Sequence, residues 1–278
     1  MSSSDAKSEW ASGDAYEPYV GRWSRLVARE FLSWLSLPQN LRWLDVGCGT
    51  GALSQTILDL AAPSSVEGID QSKQYVDHVR THITDPRAHF DVGDAMSLRF
   101  ETESFDAAVS GLMLNFVPEP ARALAEMMRV IAAGGTVALY VWDYAGEMQL
   151  MRHFWNAATT LDPAAKDLDE GGRFPICNQT ALIQLLQDVG LTQVEVRAID
   201  VPTVFRNFDD YWSPFLGGQG PAPSYAMSLT EDHRSKLSEL IRSYLQIKSD
   251  GGIDLIARAW AARGKHSIER AASVNEDN

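Results

Sequence analysis

The sequence has few cysteines, a deficit of basic residues and no long apolar run. Two cysteines, Cys48 and Cys177, are too few for a disulfide framework or for a zinc site built mainly on cysteine, and they favour a reducing compartment. Acidic residues outnumber basic ones by 37 to 24, which gives a formal net charge of −13. This balance disfavours a nucleic-acid backbone or an anionic membrane surface as the main partner, because both attract basic faces.

The apolar segments are all too short to span a bilayer. The first residues, MSSSDAKSEWASGD, are polar, so we expect neither a signal peptide nor a membrane anchor there. These absences predict a cytoplasmic protein. The 278 residues, 45% of them hydrophobic, provide enough material for one large α/β domain or for such a domain with an added cap.

Short strand-like runs alternate with helix-like patterns along the first half of the chain. The strand candidates are residues 41–47, 66–70, 88–94, 105–111 and 135–142, and the helix candidates lie between them at 51–61, 72–83 and 119–132. We expect Leu60 and Ile131 to face the core from their helices, and Gly134-Gly135 to end the last helix. Alternation of this kind predicts a parallel sheet with helices on both faces.

The alternation changes after residue 142. A helix capped by Asn178 and ended by Gly190 precedes two alternating strands at 192–200 and 252–264, which about fifty residues separate. The last strand is predicted to close the sheet as an antiparallel partner of the strand before it.

Two aromatic-rich segments, 143–177 and 203–250, fall outside the strand–helix repeat. We interpret them as helical cap insertions on a single domain that covers residues 15–264. Residues 1–14 and 265–278 are polar, and we expect them to be disordered tails.

The stretch DVGCGTGA, residues 45–52, places three glycines at alternate positions between the first strand and the first helix. Glycines let the backbone approach a ligand closely, and the following helix N-terminus offers free N–H groups. The stretch satisfies the loose dinucleotide pattern G-x-G-x-x-G/A, which is a weak signal by itself. A tight turn without any ligand is the alternative.

Acidic residues at the strand ends narrow the choice of nucleotide. Asp45, just before the glycines, would serve a pyrophosphate poorly and a ligand with an ammonium or sulfonium group well. Asp70 ends the second strand, where a ribose would present its hydroxyls, and Asp94 follows the third, where it could accept from an adenine amine. A redox Rossmann domain does not ordinarily need that third element.

These motifs, in this order, resemble those of class I S-adenosylmethionine-dependent methyltransferases. The matching residues are DVGCGTG at 45–51, EGID at 67–70, Gly93-Asp94 and FDAAVSGL at 105–112. The resemblance implies a Rossmann-like three-layer sandwich with a seven-stranded, mostly parallel sheet of order 3-2-1-4-5-7-6 and an antiparallel last strand. It also implies S-adenosylmethionine as the cofactor and S-adenosylhomocysteine as the product.

The resemblance assigns cofactor-binding roles by position. The residues are Tyr19, Arg25, Asp45, Gly47, Cys48, Gly49, Gly51, Asp70, Gln71, Asp94, Ala95, Met96, Ser110, Gly111 and Leu112. The glycines would admit the methionine and ribose portion, and residues 110–112 would lie beside the sulfonium methyl. Tyr19 or Arg25 would hold the cofactor carboxylate, unless their segment is an amphipathic lead-in helix whose aromatic residues belong to the core.

Methyl transfer from a sulfonium mainly requires alignment of the acceptor and exclusion of water. His153 and Tyr211, one in each insertion, are the catalytic candidates, although an aromatic helix face is usually packing. Asn115 either lines the pocket or caps the helix that starts near Pro118. The aromatic insertions and the glycine-rich loop at 217–221 suit a lid over an apolar small molecule.

The sequence therefore predicts methyl transfer to a small molecule, which we expect to be apolar or aromatic, with no nucleic-acid or membrane partner. The fourth strand ends in Ser110-Gly111-Leu112 and lacks the motif of amino-group methyltransferases acting on DNA bases. No acidic cluster has metal-ligand spacing, so no metal is expected. Two alternatives remain: a cofactor-binding protein without methyl transfer, and a nicotinamide-dependent oxidoreductase, which Asp45 and Asp94 disfavour.

Overall fold

The computed structural model describes residues 22–217 and 220–267. Its strands are β1 (Arg42–Val46), β2 (Ser65–Asp70), β3 (Ala88–Val92), β4 (Phe105–Gly111), β5 (Ile131–Trp142), β6 (Thr192–Phe205) and β7 (Ile253–Lys265). Its helices are α1 (Arg22–Leu35), α2 (Ala52–Leu60), α3 (Lys73–His82), α4 (Pro120–Val130), α5 (Gln149–Leu161), α6 (Glu170–Arg173), α7 (Gln179–Asp188), α8 (Phe208–Trp212), α9 (Pro221–Ser228) and α10 (Glu231–Tyr244). The predicted tail at 1–14 and most of the predicted tail at 265–278 lie outside the described residues.

The strands form one sheet with the order β3-β2-β1-β4-β5-β7-β6. Strands β1 to β5 pair in parallel, while β7 runs antiparallel to both β5 and β6. The predicted strand order and the antiparallel last strand are thereby confirmed. The chain leaves β1 toward β2 on one side and returns to β4 on the other, which opens a crevice beyond the carboxyl ends of β1 and β4.

Helices cover the sheet and bury its apolar side chains. α1 packs on α2, β6 and β7, whereas α4 packs on β4, β5 and α7. Phe31, Ile57, Leu124 and Leu139 come from the helices and from the middle of the sheet, and all are fully buried. This core holds the carboxyl ends of the strands in a fixed arrangement.

The structure corrects the predicted end of the helix at 119–132. α4 ends two residues earlier, and Ile131 is already extended as the first residue of β5, where it pairs with β4. Gly134 has a φ of 78°, and a Cβ on Gly135 would come within 2.8 Å of two backbone carbonyl oxygens. The two glycines therefore accommodate an irregularity in the β4–β5 pairing instead of ending a helix.

Three further local predictions have mixed outcomes. Leu60 is 53% exposed, because α2 ends at this residue and the turn beyond it no longer covers it. β6 continues through residue 205, so residues 203–205 of the second predicted insertion belong to the sheet. The Asn178 cap is confirmed, since its Oδ1 accepts a hydrogen bond from the Ala181 N–H at 2.9 Å.

The two predicted insertions pack on each other, and we call residues 143–177 and 206–250 the cap. Residues 218–219, within the predicted glycine-rich loop, lie outside the described residues. α5 from the first segment contacts α9 and α10 from the second. The contact is aromatic at its centre, where the ring of Phe154 stacks on that of Phe215 at 4.6 Å.

Candidate active site

The glycine-rich loop joins β1 to α2 at the carboxyl edge of the sheet. Gly47, Gly49 and Gly51 have φ values of 77°, 52° and 88°, in the left-handed region that favours glycine. A Cβ on Gly47 would lie 2.3 Å from the Met113 side chain, and one on Gly51 would lie 2.5 Å from that of Val79. A Cβ on Gly49 would meet nothing within 4 Å. Internal packing thus accounts for two glycines, while the third opens onto free space.

Asp70, at the end of β2, fixes the conformation of this loop. Its Oδ2 accepts from the Gly49 N–H at 3.0 Å, and its Oδ1 accepts from the Ser72 N–H at 2.8 Å. Burial raises the pKa of Asp70, and the two backbone donors oppose that shift. Each carboxylate oxygen retains acceptor capacity for a further donor, such as a ligand hydroxyl.

Asp45 is fully buried in β1 beneath the loop. The Ser54 hydroxyl donates to its Oδ2 at 2.6 Å, and its Oδ1 has no hydrogen-bond partner among the described residues. Burial raises the pKa of Asp45 to about 7; the Ser54 hydrogen bond opposes the shift, and the charge of Asp70 adds to it. A nearby cation would favour the ionised form of this carboxyl.

A cleft opens over the ends of β1, β2 and β4. Its empty volume is about 470 Å³, with the open solvent at its mouth included. The predicted cofactor residues along its wall are Gly47, Asp70, Gln71, Asp94, Ala95 and Met96. The cleft is also lined by five residues to which the sequence motifs assign no role: Ile69, Met113, Phe116, Val117 and Pro118. Residues 113–118 follow β4, the neighbour of β1, and this position in the sheet order is the signal that could have identified them.

The turn after β3 presents two small or flexible side chains to this cleft. Asp94 is exposed, and its Oδ1 accepts from the Met96 N–H at 2.9 Å. This bond closes the turn that places Ala95 and Met96 along the cleft wall. The exposed carboxylate therefore stands at the rim and the apolar side chains lie inside it.

The end of β4 is strained and close-packed. A Cβ on Gly111 would lie 2.6 Å from the Tyr140 hydroxyl, so no larger residue fits. Leu112 has a φ of 60°, which is unfavourable for a bulky side chain, and its N–H donates to the Tyr140 carbonyl at 2.8 Å. The Ser110 hydroxyl is buried and has no partner among the described residues.

The two catalytic candidates lie in the cap and do not line the cleft. Tyr211 is fully buried, its hydroxyl donates to the Leu150 carbonyl at 2.9 Å, and its ring packs on Phe208 and Phe215. Burial raises the pKa of Tyr211, and this geometry matches the packing alternative. His153 is half-buried on α5, and burial lowers its pKa. A catalytic role for His153 stays a prediction.

Of the two N-terminal candidates, only Arg25 belongs to the described residues, and it does not line the cleft. Arg25 is exposed on α1, and Tyr19 lies outside the described residues, so both roles stay predictions. Trp23 is buried, and its ring packs edge-on against that of Phe205 at 5.5 Å. This contact is what the alternative of a lead-in helix with core aromatic residues predicts.

Asn115 does not cap α4. The residue that precedes this helix is Glu119, which makes no side-chain cap bond, and Pro120 occupies the first helical position. Both amide atoms of Asn115 are buried and have no hydrogen-bond partner within the described part of the chain. Asn115 is also not among the residues that line the cleft, so the structure does not bear out a role in the pocket, which stays a prediction.

Two negative findings concern the residues at 22–217 and 220–267. No three His, Cys, Asp or Glu side chains in these ranges are grouped so that they could hold a metal ion. Within the same ranges, no helix combines the length and the apolar character needed to cross a bilayer.

Comparison with known proteins agrees with this geometry. A family described as a methyltransferase domain matches residues 44–139. The 2-methyl-6-phytyl-1,4-hydroquinone methyltransferase of Synechocystis sp. is 31% identical over 190 residues, which are 66% of this chain and 58% of that protein. The chain thus matches less than two thirds of the length of that relative.

Solved structures share the fold at low sequence identity. Phosphoethanolamine N-methyltransferase 2 of Haemonchus contortus, in complex with S-adenosyl-L-methionine, has a TM-score of 0.59 at 15% identity and covers 95% of this chain and 60% of its own. The [4+2]-cyclase SpnF has a TM-score of 0.53 at 20% identity and covers 88% of this chain and 81% of its own.

The strand order, the glycine-rich loop and the domain match define one class of protein. Residues 44–139 match a methyltransferase domain, and the sheet has the strand order expected of class I S-adenosylmethionine-dependent methyltransferases.

Proposed function

We propose that this protein transfers the methyl group of S-adenosylmethionine to a small-molecule acceptor. The observation that carries the proposal is the opening at Gly49, whose N–H is held by Asp70 while the space beside its Cα is free. A backbone that approaches a ligand this closely, next to a strand-end carboxylate, suits the ribose of a nucleoside. The methyltransferase domain match at residues 44–139 supports the same conclusion.

The cofactor would lie across the carboxyl ends of β1, β2 and β3. Asp70 would accept from the ribose hydroxyls, and Ala95 and Met96 would pack against the adenine, with Asp94 at its exocyclic amine. Asp45 lies under the loop with a carboxyl whose pKa is raised to about 7, so the ammonium of the cofactor would stabilise its ionised form.

The bound cofactor supplies an activated methyl group. In the transfer, an electron pair of the acceptor would form the bond to the methyl carbon, the sulfur–carbon bond would break with its electron pair left on sulfur, and a neutral acceptor would release its proton to solvent. The contribution of the chain is alignment and the exclusion of water, and alignment of this kind is worth about 7–11 kcal/mol. The cleft wall formed by Met113, Phe116 and Val117 closes the side next to β4.

We further propose that the acceptor is a neutral, largely apolar or aromatic molecule in the cytoplasm. The Synechocystis relative is named as a methyltransferase of a phytyl hydroquinone, which supports this class. The net charge of −13 disfavours RNA or an anionic membrane as the site of action.

Calorimetric titration of the protein with S-adenosylhomocysteine, S-adenosylmethionine and NADH tests the cofactor assignment. We expect saturable binding of the first two and none of NADH. Binding of NADH alone would replace the assignment with a redox function. Binding of none of the three would contradict the proposed function.

A cofactor-binding role without methyl transfer is the second candidate, because the fold is shared with a protein named as a [4+2]-cyclase. Conversion of S-adenosylmethionine to S-adenosylhomocysteine in the presence of an acceptor separates the two. A protein that binds the cofactor and transforms a substrate without forming S-adenosylhomocysteine would support the second candidate.

A further inference from the structure

Residues 169–174, which we call the strap, connect the cap to the wall of the cleft. The strap comprises α6 and the residue on either side of it. At its end, the ring of Phe174 packs edge-on against that of Phe116, with 5.2 Å between the ring centroids. Phe116 in turn lines the cleft. The strap therefore supports this part of the cleft wall from the side of the cap.

Two carboxyl groups attach the strap to α5. Asp169 forms a largely buried ion pair with Arg152, with 2.6 Å between its Oδ2 and the Nη2 of Arg152. One turn further along α5, the indole N–H of Trp155 donates a hydrogen bond to the Oε2 of Glu170. The two attachments differ in kind, because Asp169 is paired with a cation and Glu170 is held by a neutral donor.

The surroundings of Glu170 favour its neutral form. The residue is 2% exposed, and its Oε1 has no hydrogen-bond partner among the described residues. Burial raises the pKa of this carboxyl from an ordinary 4.5 to about 7; the Trp155 hydrogen bond and the charge of Arg173 oppose the shift, and the charge of Asp169 adds to it. An ionised Glu170 is therefore better accommodated in water than in the cap.

The other charges around the strap give an ionised Glu170 little support. Within the described part of the chain, the one charge that favours its ionised form is that of Arg173, which is exposed. Arg152 is already engaged by Asp169 and by the carbonyl of Tyr144. The further ionisable groups on the elements around the strap are Asp143, Glu147, His153, Asp162, Lys166 and Asp167.

We propose that Glu170 is a proton-dependent switch: its neutral carboxyl keeps the strap docked on α5, and its ionised form releases the strap together with the Phe174 ring that supports the cleft wall. The proton passes to solvent, and the carboxylate becomes hydrated. Asp169 stays paired with Arg152, so the released strap remains attached at one end. This response to pH is additional to the proposed methyl transfer and does not depend on it.

The sign of the effect follows from the two protonation states. The docked strap holds a proton that the released strap loses above the ordinary pKa of 4.5, so docking is strongest below that value. It weakens as the pH rises and levels off above a pH of about 7, where Glu170 is ionised in both states.

Hydrogen–deuterium exchange of the full-length protein without ligand, resolved to peptides by mass spectrometry, tests the proposal. Three backbone N–H groups report on the strap: those of Gly172 and Arg173 donate to the Asp169 carbonyl, and that of Phe174 donates to the Glu170 carbonyl. Exchange is measured at pH 5.5, 6.5, 7.5 and 8.5, and each rate is divided by the intrinsic rate at that pH.

Two variants accompany the wild type. Glu170→Gln is neutral at every pH and keeps an acceptor for the Trp155 indole. Glu239→Gln, at an exposed position on α10 of the cap, is the matched control.

The strap of the wild type and of Glu239→Gln should lose protection by about twentyfold between pH 5.5 and 7.5, with little further change by pH 8.5. Glu170→Gln should keep its protection over the whole range. The N–H groups of Phe116 and Val117, which donate to carbonyls within residues 113–114, should lose protection together with the strap in the wild type and not in Glu170→Gln.

Strap protection that does not change with pH in the wild type would overturn the inference. The same pH dependence in Glu170→Gln would also overturn it, because another group would then be responsible. So would an equal loss of protection in β5 and β7, since global unfolding would then expose the strap. If circular dichroism shows that Glu170→Gln does not fold, the wild-type series decides: a loss confined to the strap and residues 116–117 supports the inference, and any other pattern contradicts it.

Discussion

The glycine-rich loop and the cap both contact the same sheet, but their side chains are packed differently. Around the loop, space is left open beside Gly49, and Asp45 below it has a carboxylate oxygen without a partner among the described residues. In the cap, the aromatic rings fill one another's space: Phe154 contacts Trp155 at 5.1 Å and Phe215 at 4.6 Å. The Oε1 of the buried Glu170 in the cap also has no partner among the described residues, so the two regions differ in open space and ring packing, not in polar pairing. We assign ligand binding to the loop and stability to the cap.

The comparison changes how the aromatic content of the insertions is interpreted. Aromatic-rich segments near a strand edge predict a lid over an apolar ligand, and in this structure the rings pack on one another as part of the hydrophobic core. These aromatic side chains are Phe154, Trp155, Phe208, Tyr211, Trp212, Phe215 and Tyr225. An aromatic residue in a sequence is therefore evidence of packing before it is evidence of a ligand site.

The largest effect that separates the two regions is expected in the cap. Phe154→Ala removes a fully buried ring and should lower the free energy of unfolding by about 3–5 kcal/mol, as measured by urea denaturation. Affinity for S-adenosylhomocysteine, determined at a temperature where the variant is folded, should stay within about twofold of wild type. A tenfold loss of affinity with little loss of stability would reverse the roles that we assign to the cap and the loop.

The next largest effect is expected at Asp70. Asp70→Asn should weaken S-adenosylhomocysteine binding by about 1.5–3 kcal/mol, which is roughly 10- to 100-fold, because a charged acceptor is lost from the ribose position. Asp77→Asn is the matched control, since Asp77 forms an exposed ion pair with Lys73 on α3 and such pairs contribute little. Equal affinities of the two variants in calorimetry would remove Asp70 from the site.

A pair of glycine substitutions sharpens the comparison within the loop. Gly51→Ala places a Cβ within 2.5 Å of Val79 at a φ of 88°, so it should cost about 2–3 kcal/mol of stability. Gly49→Ala has no such clash and should cost only about 1 kcal/mol, for the left-handed backbone.

The two glycine substitutions should rank in the opposite order for ligand affinity than for stability. Gly49→Ala fills the open space and should weaken S-adenosylhomocysteine binding more than Gly51→Ala does, once both are compared in the folded state. If both substitutions changed affinity in proportion to their loss of stability, Gly49 would have no specific role at the ligand.

The last effect concerns the dependence of stability on pH. The carboxyl of Asp45 has an ordinary pKa of 3.8 and a pKa of about 7 in the folded protein. Between these values the folded protein holds a proton that the unfolded chain has lost, so stability should decrease as the pH rises from about 4 to 7. The slope from one such group is at most about 1.4 kcal/mol per pH unit.

Glu170 contributes with the same sign, because burial raises its pKa to about 7 as well. Asp45→Asn should therefore reduce the slope of stability against pH without abolishing it. Urea denaturation of wild type and variant at pH 5, 6, 7 and 8 measures both slopes. Parallel slopes would mean that Asp45 is ionised throughout this range.

Much of the fold follows from local patterns. The alternation of strands and helices, the Asn178 cap and the resemblance to a known class led to the observed strand order. The end of α4 could not be predicted from local patterns. Gly134 and Gly135 are typical of a helix C-terminus, and only the pairing of this segment with β4 shows that they lie in a strand.

The candidate site divides in the same way. Gly47, Asp70 and the residues after β3 could be predicted, since their roles depend on short motifs at strand ends. Met113 and Phe116 carry no motif, and only the position of β4 next to β1 in the predicted strand order could have pointed to them. The burial of Tyr211 could not be predicted either, because the sequence does not distinguish a tyrosine that packs in the core from a tyrosine that takes part in a reaction.

The most direct test of the account is a crystal structure of the protein with S-adenosylhomocysteine. We expect the ligand in the cleft over β1 and β2, with a ribose hydroxyl within about 3.2 Å of a carboxylate oxygen of Asp70. We also expect the backbone of Gly49 to contact the ligand. A ligand bound elsewhere, or bound in this cleft with its ribose away from Asp70, would contradict the account.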